Sequence, residues 1–151
     1  VEVDIKRTLG LDIGDSRIGV ALSDPLGILA SPLTIINRAD EQVAIAGIID
    51  IIRQNEVGRV IAGLPLNMDG SQGVQAEKTI SFVAALRCHI EVPVEFRDER
   101  LSTVSARELV REARKTNRKT RYDAAAAALI LQGYLDEVSE RRPDDLPPPT
   151  E

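Results

Sequence analysis

Tryptophan is absent from the chain, and cysteine and histidine occur once each, as Cys88 and His89. One cysteine forms no internal disulfide, and one histidine builds no histidine-based metal cage. Hydrolysis of the Ser-His-Asp or Cys-His kind would hang on His89 alone, which leaves carboxylates as the favoured chemical groups. The aromatics are Phe82, Phe96, Tyr122 and Tyr134. They are too few for a base-stacking platform of the RNA-recognition type. The longest uncharged apolar run, around residues 124–131, falls far short of the ~20 residues of a membrane span. No basic, then apolar, leader opens the chain. The expectation is a cytoplasmic protein without a membrane partner.

What is present suits a folded domain. The 151 residues are 43% hydrophobic and 28% charged, enough to bury one core. The net charge of −5 conceals a segregation. Residues 107–121 hold Arg107, Arg111, Arg114, Lys115, Arg118, Lys119 and Arg121 against Glu108 and Glu112, a window of +5 in a remainder of −10. Such a patch can hold phosphates whatever the total charge, because screening confines fields to about 8–10 Å. Its plainer reading is a solvated helix face with Arg and Glu paired.

Local patterns order the chain. Apolar runs at 8–13 and 18–22, joined by Gly14-Asp15-Ser16-Arg17, predict a hairpin. A third strand over 29–36 contains Pro32, which belongs at an edge or a bulge. Asp40 is a natural N-cap for a helix carrying Ile45, Ile48, Ile49 and Ile52, with Gly58 at its C-terminus. Residues 59–64 read as a buried strand, and the Gly-rich stretch 66–73 leads into a helix through about Leu86. Residues 92–96 make a fifth strand. Ser102 or Thr103 caps a third helix with Ala106, Leu109, Val110 and Ala113, and a last helix runs over 122–137. Prolines 143, 147, 148 and 149 mark 139–151 as a disordered tail, leaving 1–138 as the domain. The order βββαβαβαα predicts an α/β protein of ribonuclease H-like fold, a five-stranded mixed sheet with helices packed on it.

Several acids are candidates. Asp12 lies within the apolar strand Leu9-Gly10-Leu11-Asp12-Ile13-Gly14, where a carboxylate needs compensation that a divalent cation can supply. A turn role beside Gly14 is the bland alternative. Asp98-Glu99-Arg100 closes the fifth strand, where open α/β sheets bind ligands, although a helix cap or a pair with Arg100 would also explain it. Asp123 opens the last helix, as an ordinary N-cap would. Asp15 and Asp24 stand at turns and have weaker claims. The loop 63–73 could receive a phosphate at a helix N-terminus, yet it lacks the Lys-Ser/Thr ending of a P-loop.

Together these residues resemble the YqgF/RuvX family. The resemblance rests on Leu11-Asp12-Ile13-Gly14 through Arg17-Ile18-Gly19-Val20-Ala21-Leu22-Ser23-Asp24, on Gly63-Leu64-Pro65, on Asp98-Glu99-Arg100-Leu101-Ser102-Thr103, and on Asp123 with Ile130-Leu131-Gln132. It implies a metal-dependent nuclease that matures pre-16S ribosomal RNA or resolves Holliday junctions, the latter in DNA recombination and repair. Carried over, the acidic site falls on Asp12, Glu99 and Asp123, with Asp98 the neighbouring alternative to Glu99. These three would be both catalytic residues and ligands of Mg²⁺ or Mn²⁺, two ions activating water and stabilising the leaving oxygen. Arg17, Arg100 and the basic residues Arg107, Arg111, Arg114, Lys115, Arg118 and Lys119 would hold the backbone of pre-rRNA or branched DNA. A junction has two-fold symmetry, so a resolvase is expected to act as a homodimer.

Two other functions fit parts of the pattern. Asp-Ile-Gly after a strand also resembles the phosphate segment of actin-like phosphotransferases, but those need two such domains. A catalytically inactive nucleic-acid-binding module would keep the fold without needing all three acids. RNA and DNA are not distinguished by any residue.

Overall fold

The computed structural model describes residues 6–101 and 119–139, the side chains of 119–123 excepted. Strands β1 (Arg7–Ile13), β2 (Arg17–Ser23) and β3 (Ala30–Asn37) precede α1 (Glu41–Gln54), β4 (Val57–Leu64), α2 (Val74–Arg87) and β5 (Val94–Asp98). A 3-10 turn, Glu99–Leu101, follows β5, and α3 (Lys119–Ser139) is the last described helix. The helix expected to begin at Ser102 or Thr103 lies outside the described residues, as do residues 140–151 of the expected tail, while Ser139 is the last residue of α3.

The strands form one sheet in the order β3-β2-β1-β4-β5. β1, β2 and β3 are an antiparallel meander, and β4 and β5 extend it in parallel with β1. Pro32 lies on the edge strand, beside a register shift between Val20 and Ala21. A residue without an N–H is tolerated there.

Strand alternation sorts side chains into two cores. Leu9, Leu11 and Ile13 of β1 join Ile45, Ile48, Phe82 and Leu86 of α1 and α2 on one face. Each such side chain contributes about 1.5–3 kcal/mol on full burial. On the other face Ala21 and Ile61 meet Ala127, Ile130, Leu131 and Leu135 of α3. Gly10 lets this helix come close, since a Cβ there would lie 2.8 Å from Leu131 Cβ and 3.0 Å from the Ala127 carbonyl oxygen.

The direction of α3 follows from Gln132. Its side-chain oxygen accepts the Ala30 N–H at 2.8 Å and its nitrogen donates to the Ile28 carbonyl at 2.9 Å. Ala30 pairs with Ser23 at the carboxyl end of β2, the sheet end opposite Ile13. Running back from Gln132, α3 therefore leads toward the carboxyl end of β1. No described helix is long and apolar enough to cross a membrane.

Three expectations are corrected. Gly58 lies in β4, and the helix stops instead at Asn55, with Glu56 at φ 52°. Gly58 is needed for a different reason, because a Cβ there would lie 2.6 Å from Lys6 Cβ. The fifth strand covers Val94–Asp98 rather than 92–96, since Pro93 has no N–H to give to the ladder and contributes only its carbonyl, to the Val60 N–H. The last helix begins at Lys119, so Asp123 lies beyond its first turn and is not its N-cap.

Candidate nuclease site

Asp12 is half-buried in β1, opposite Gly19 of β2. Its neighbours Leu11 and Ile13 face the α1/α2 core, so alternation places Asp12 on the α3 face. The last β1–β4 pair is Leu11 with Ala62. One step further along both strands sets Asp12 beside Gly63, roughly 4.8 Å away at the usual strand spacing.

Gly63 is buried, and its missing side chain makes room for Glu99. A Cβ at Gly63 would lie 2.6 Å from Glu99 Oε1, 3.2 Å from Glu99 Cγ and 2.6 Å from Ile130 Cδ1. Glu99, in the turn after β5, thus lays its carboxylate over β4 on the α3 face. Two carboxylates from separate elements are brought to one end and one face of the sheet.

Asp98 is directed elsewhere. Its oxygens accept from Arg100 Nε at 3.1 and 3.0 Å, from Arg100 Nη2 at 2.7 Å and from the Arg100 backbone N–H at 2.9 Å. The same pairing raises the pKa of Arg100 above its ordinary value. Arg100 also donates from Nη1 to the Met68 carbonyl at 3.2 Å, which ties the loop after β4 to the end of β5. Within that loop Asp69 is held below its ordinary carboxylate pKa by the Ser71 hydroxyl and then by the Ser71 N–H.

Arg17 is exposed at the start of β2. It shares by alternation the face of Gly19 and Ala21, at the same sheet end as Asp12. Asp123 belongs to α3 one turn before Ala127, which packs on Gly10, and the helix direction brings that turn toward the Asp12 end. The side chains of Asp123 and Lys119 lie outside the described residues, as do Arg107, Arg111, Arg114, Lys115 and Arg118. Among the described residues no group of three His, Cys, Asp or Glu is placed to hold a metal ion.

Asp15 pairs with Lys78 at 3.2 Å. Asp24 closes the β2–β3 turn by accepting the Ile28 and Leu29 N–H groups at 2.7 and 3.0 Å. Both act locally. Arg38 carries no signal in the sequence, yet it donates to the Gly14 carbonyl at 2.8 Å and lies over the Phe82 ring, 4.8 Å from its centroid. It steadies the hairpin that follows Asp12, and no local pattern announces a contact from this loop to a ring on α2.

The sequence profile of the RuvX family, described as Holliday junction resolvase, matches residues 6–137. The chain belongs to the RuvX family. Among RuvX relatives, a Clostridium acetobutylicum protein is 42% identical over 134 residues, covering 87% of this chain and 99% of its own. One from Moorella thermoacetica is 44% identical over 136 residues, covering 89% and 97%. Both are provisionally named pre-16S rRNA nucleases. In structure the chain is similar to Thermus thermophilus RuvC in complex with Holliday junction substrate, with a TM-score of 0.54 and 16% identity over 87% of this chain and 96% of that one. Fowlpox virus resolvase bound to Holliday junction DNA gives 0.52 and 14%, covering 87% and 98%. These likenesses establish the ribonuclease H-like fold. The family ties the chain to nucleases and to nucleic acid as a partner.

Proposed function

We propose that the chain is a divalent-metal-dependent nuclease that hydrolyses phosphodiesters in structured nucleic acid, at the 5′ end of pre-16S rRNA or at a four-way DNA junction. One observation carries the reading: Asp12 in β1 and Glu99 beyond β5 share one face and one end of the sheet, with Gly63 left bare where the Glu99 carboxylate lies. The donor set is all oxygen, which suits Mg²⁺ or Mn²⁺ better than a softer metal. Asp12, Glu99 and Asp123 would hold the metal, and Asp98 would serve through Arg100 instead. Bound there, such ions lower the pKa of water and stabilise the leaving oxygen.

The chain's own contribution is position. The β1 and β4 backbones fix Asp12, and the Asp98–Arg100 pair holds the turn from which Glu99 extends. Arg17, at the same sheet end, offers a guanidinium to a backbone phosphate. The basic residues 107–121 would add contacts that read charge and shape rather than base sequence. Cleavage of pre-16S rRNA and of a four-way junction, compared at equal concentration with oligomeric state measured alongside, tests the substrate. Metal-dependent cleavage of either supports the reading, a homodimer is expected if the junction is preferred, and cleavage of neither overturns it.

A further inference from the structure

Past the carboxyl end of β4 the chain forms a loop over residues 65–73 that is bonded to itself. The Asn67 N–H donates to the Ser71 carbonyl at 3.0 Å, and the Asn67 carbonyl accepts the Gly70 N–H at 2.9 Å. Asn67 Nδ2 donates to Ser71 Oγ at 3.0 Å. The Ser71 N–H and hydroxyl both donate to Asp69 Oδ1, at 2.9 and 2.6 Å. Arg100 then holds the loop from outside, through the Met68 carbonyl and against Gly70, which takes φ +88°. That same Arg100 grips Asp98, the neighbour of Glu99. Loop and carboxylate are fastened to one frame.

Met68 projects from this loop with 84% of its surface exposed. A solitary exposed apolar side chain is ordinary on a protein surface. What sets Met68 apart is that its backbone is fixed, through one arginine, to the strand end that carries Glu99. With the backbone already ordered, only the rotamers of the side chain remain to be fixed on binding.

We propose that Met68 is a specificity element, an apolar wedge that packs on the face of an unstacked base where a duplex is interrupted, beside the phosphodiester that the site addresses. The inference rests on the nuclease reading above. A thioether side chain is flexible, polarizable and suited to aromatic faces, and methionine is among the side chains that wedge between base steps. In a continuous duplex those faces are covered by stacking, so Met68 finds no partner. At a branch, bulge or loop a face is open.

The test uses the full chain with three probes, each carrying 2-aminopurine: a four-way DNA junction, an RNA hairpin with an unpaired loop, and a continuous duplex. Binding is read by anisotropy in Ca²⁺, and base unstacking by fluorescence. Wild type should raise the fluorescence of one or both interrupted probes, and the probe that responds identifies the source of the open base. Met68→Ala should bind the responding probe about threefold to tenfold more weakly, leave duplex affinity unchanged and abolish the fluorescence rise. Met68→Leu, which stays apolar, should retain most of both signals, and neither variant should alter Tm. Wild-type affinity and fluorescence in Met68→Ala would overturn the wedge while leaving the nuclease reading intact. Wild type that binds no probe would overturn both.

Discussion

Replacing Gly63 with alanine separates folding from chemistry at the proposed site. The new Cβ would lie 2.6 Å from Glu99 Oε1 and 2.6 Å from Ile130 Cδ1, whereas ordinary contacts begin near 3.5 Å. Both atoms are ends of side chains that can move by about an ångström. Overpacking typically destabilises by about 1–3 kcal/mol, and two yielding neighbours place Gly63→Ala near the lower end, about 1 kcal/mol. In a domain of this size that lowers Tm by roughly 2–4 °C. The carboxylate has less latitude, since an ångström of misplacement can reduce a rate about 10²-fold. Thermal melting and single-turnover cleavage with Mn²⁺ measure the two effects on one preparation. The expected result is a small loss of Tm with about a 100-fold loss of rate. A folded Gly63→Ala protein that cleaves within threefold of wild type would show that the Glu99 carboxylate does not act from beside Gly63.

Gly10→Ala should behave in the opposite way. Its Cβ would meet the backbone carbonyl of Ala127 at 3.0 Å, which cannot rotate aside, so melting should show a loss of about 2–3 kcal/mol. Asp24 has its pKa lowered by the Leu29 and Ile28 N–H groups, so its stabilising effect is complete above the unfolded pKa and lost as pH falls through the lower native one. Melting of Asp24→Asn should therefore depend less on pH below about 4 than wild type does. Arg114→Glu with Lys115→Glu should weaken nucleic-acid binding and flatten its salt dependence by about 0.7–0.9 per lost contact, read from binding constants across a salt series.

The parts legible in the sequence were those set by local chemistry. Pro32 marked an edge strand because it lacks an N–H, and Asp40 marked a helix start because its carboxylate accepts the Gln42 and Val43 N–H groups. Asp12 stood out as a charge in an apolar strand. The end of the first helix depended on contacts distant in sequence, whereas the start of β5 follows from Pro93, a local signal. Gly58 is shaped by Lys6 rather than by the helix before it, and a non-glycine residue, Glu56, takes the left-handed position. The choice between Asp98 and Glu99 was equally illegible, since two adjacent acids look alike in sequence. In the proposed site it turns on Arg100, which takes Asp98, and on the space at Gly63, where the Glu99 carboxylate lies. In the sequence Gly63 is only part of a motif, because the lack of a side chain has meaning only once its neighbours are known.

Calorimetric titration of Mn²⁺ into the full chain tests, without any substrate, whether Asp12 and Glu99 hold a divalent-ion site. Wild type should bind, and Asp12→Asn and Glu99→Gln should each lose that binding, since the amides keep the shape but not the charge. Circular dichroism confirms that both variants are folded. Asp98→Asn should keep Mn²⁺ affinity within severalfold of wild type. Wild-type Mn²⁺ affinity in folded Asp12→Asn and Glu99→Gln would contradict the account.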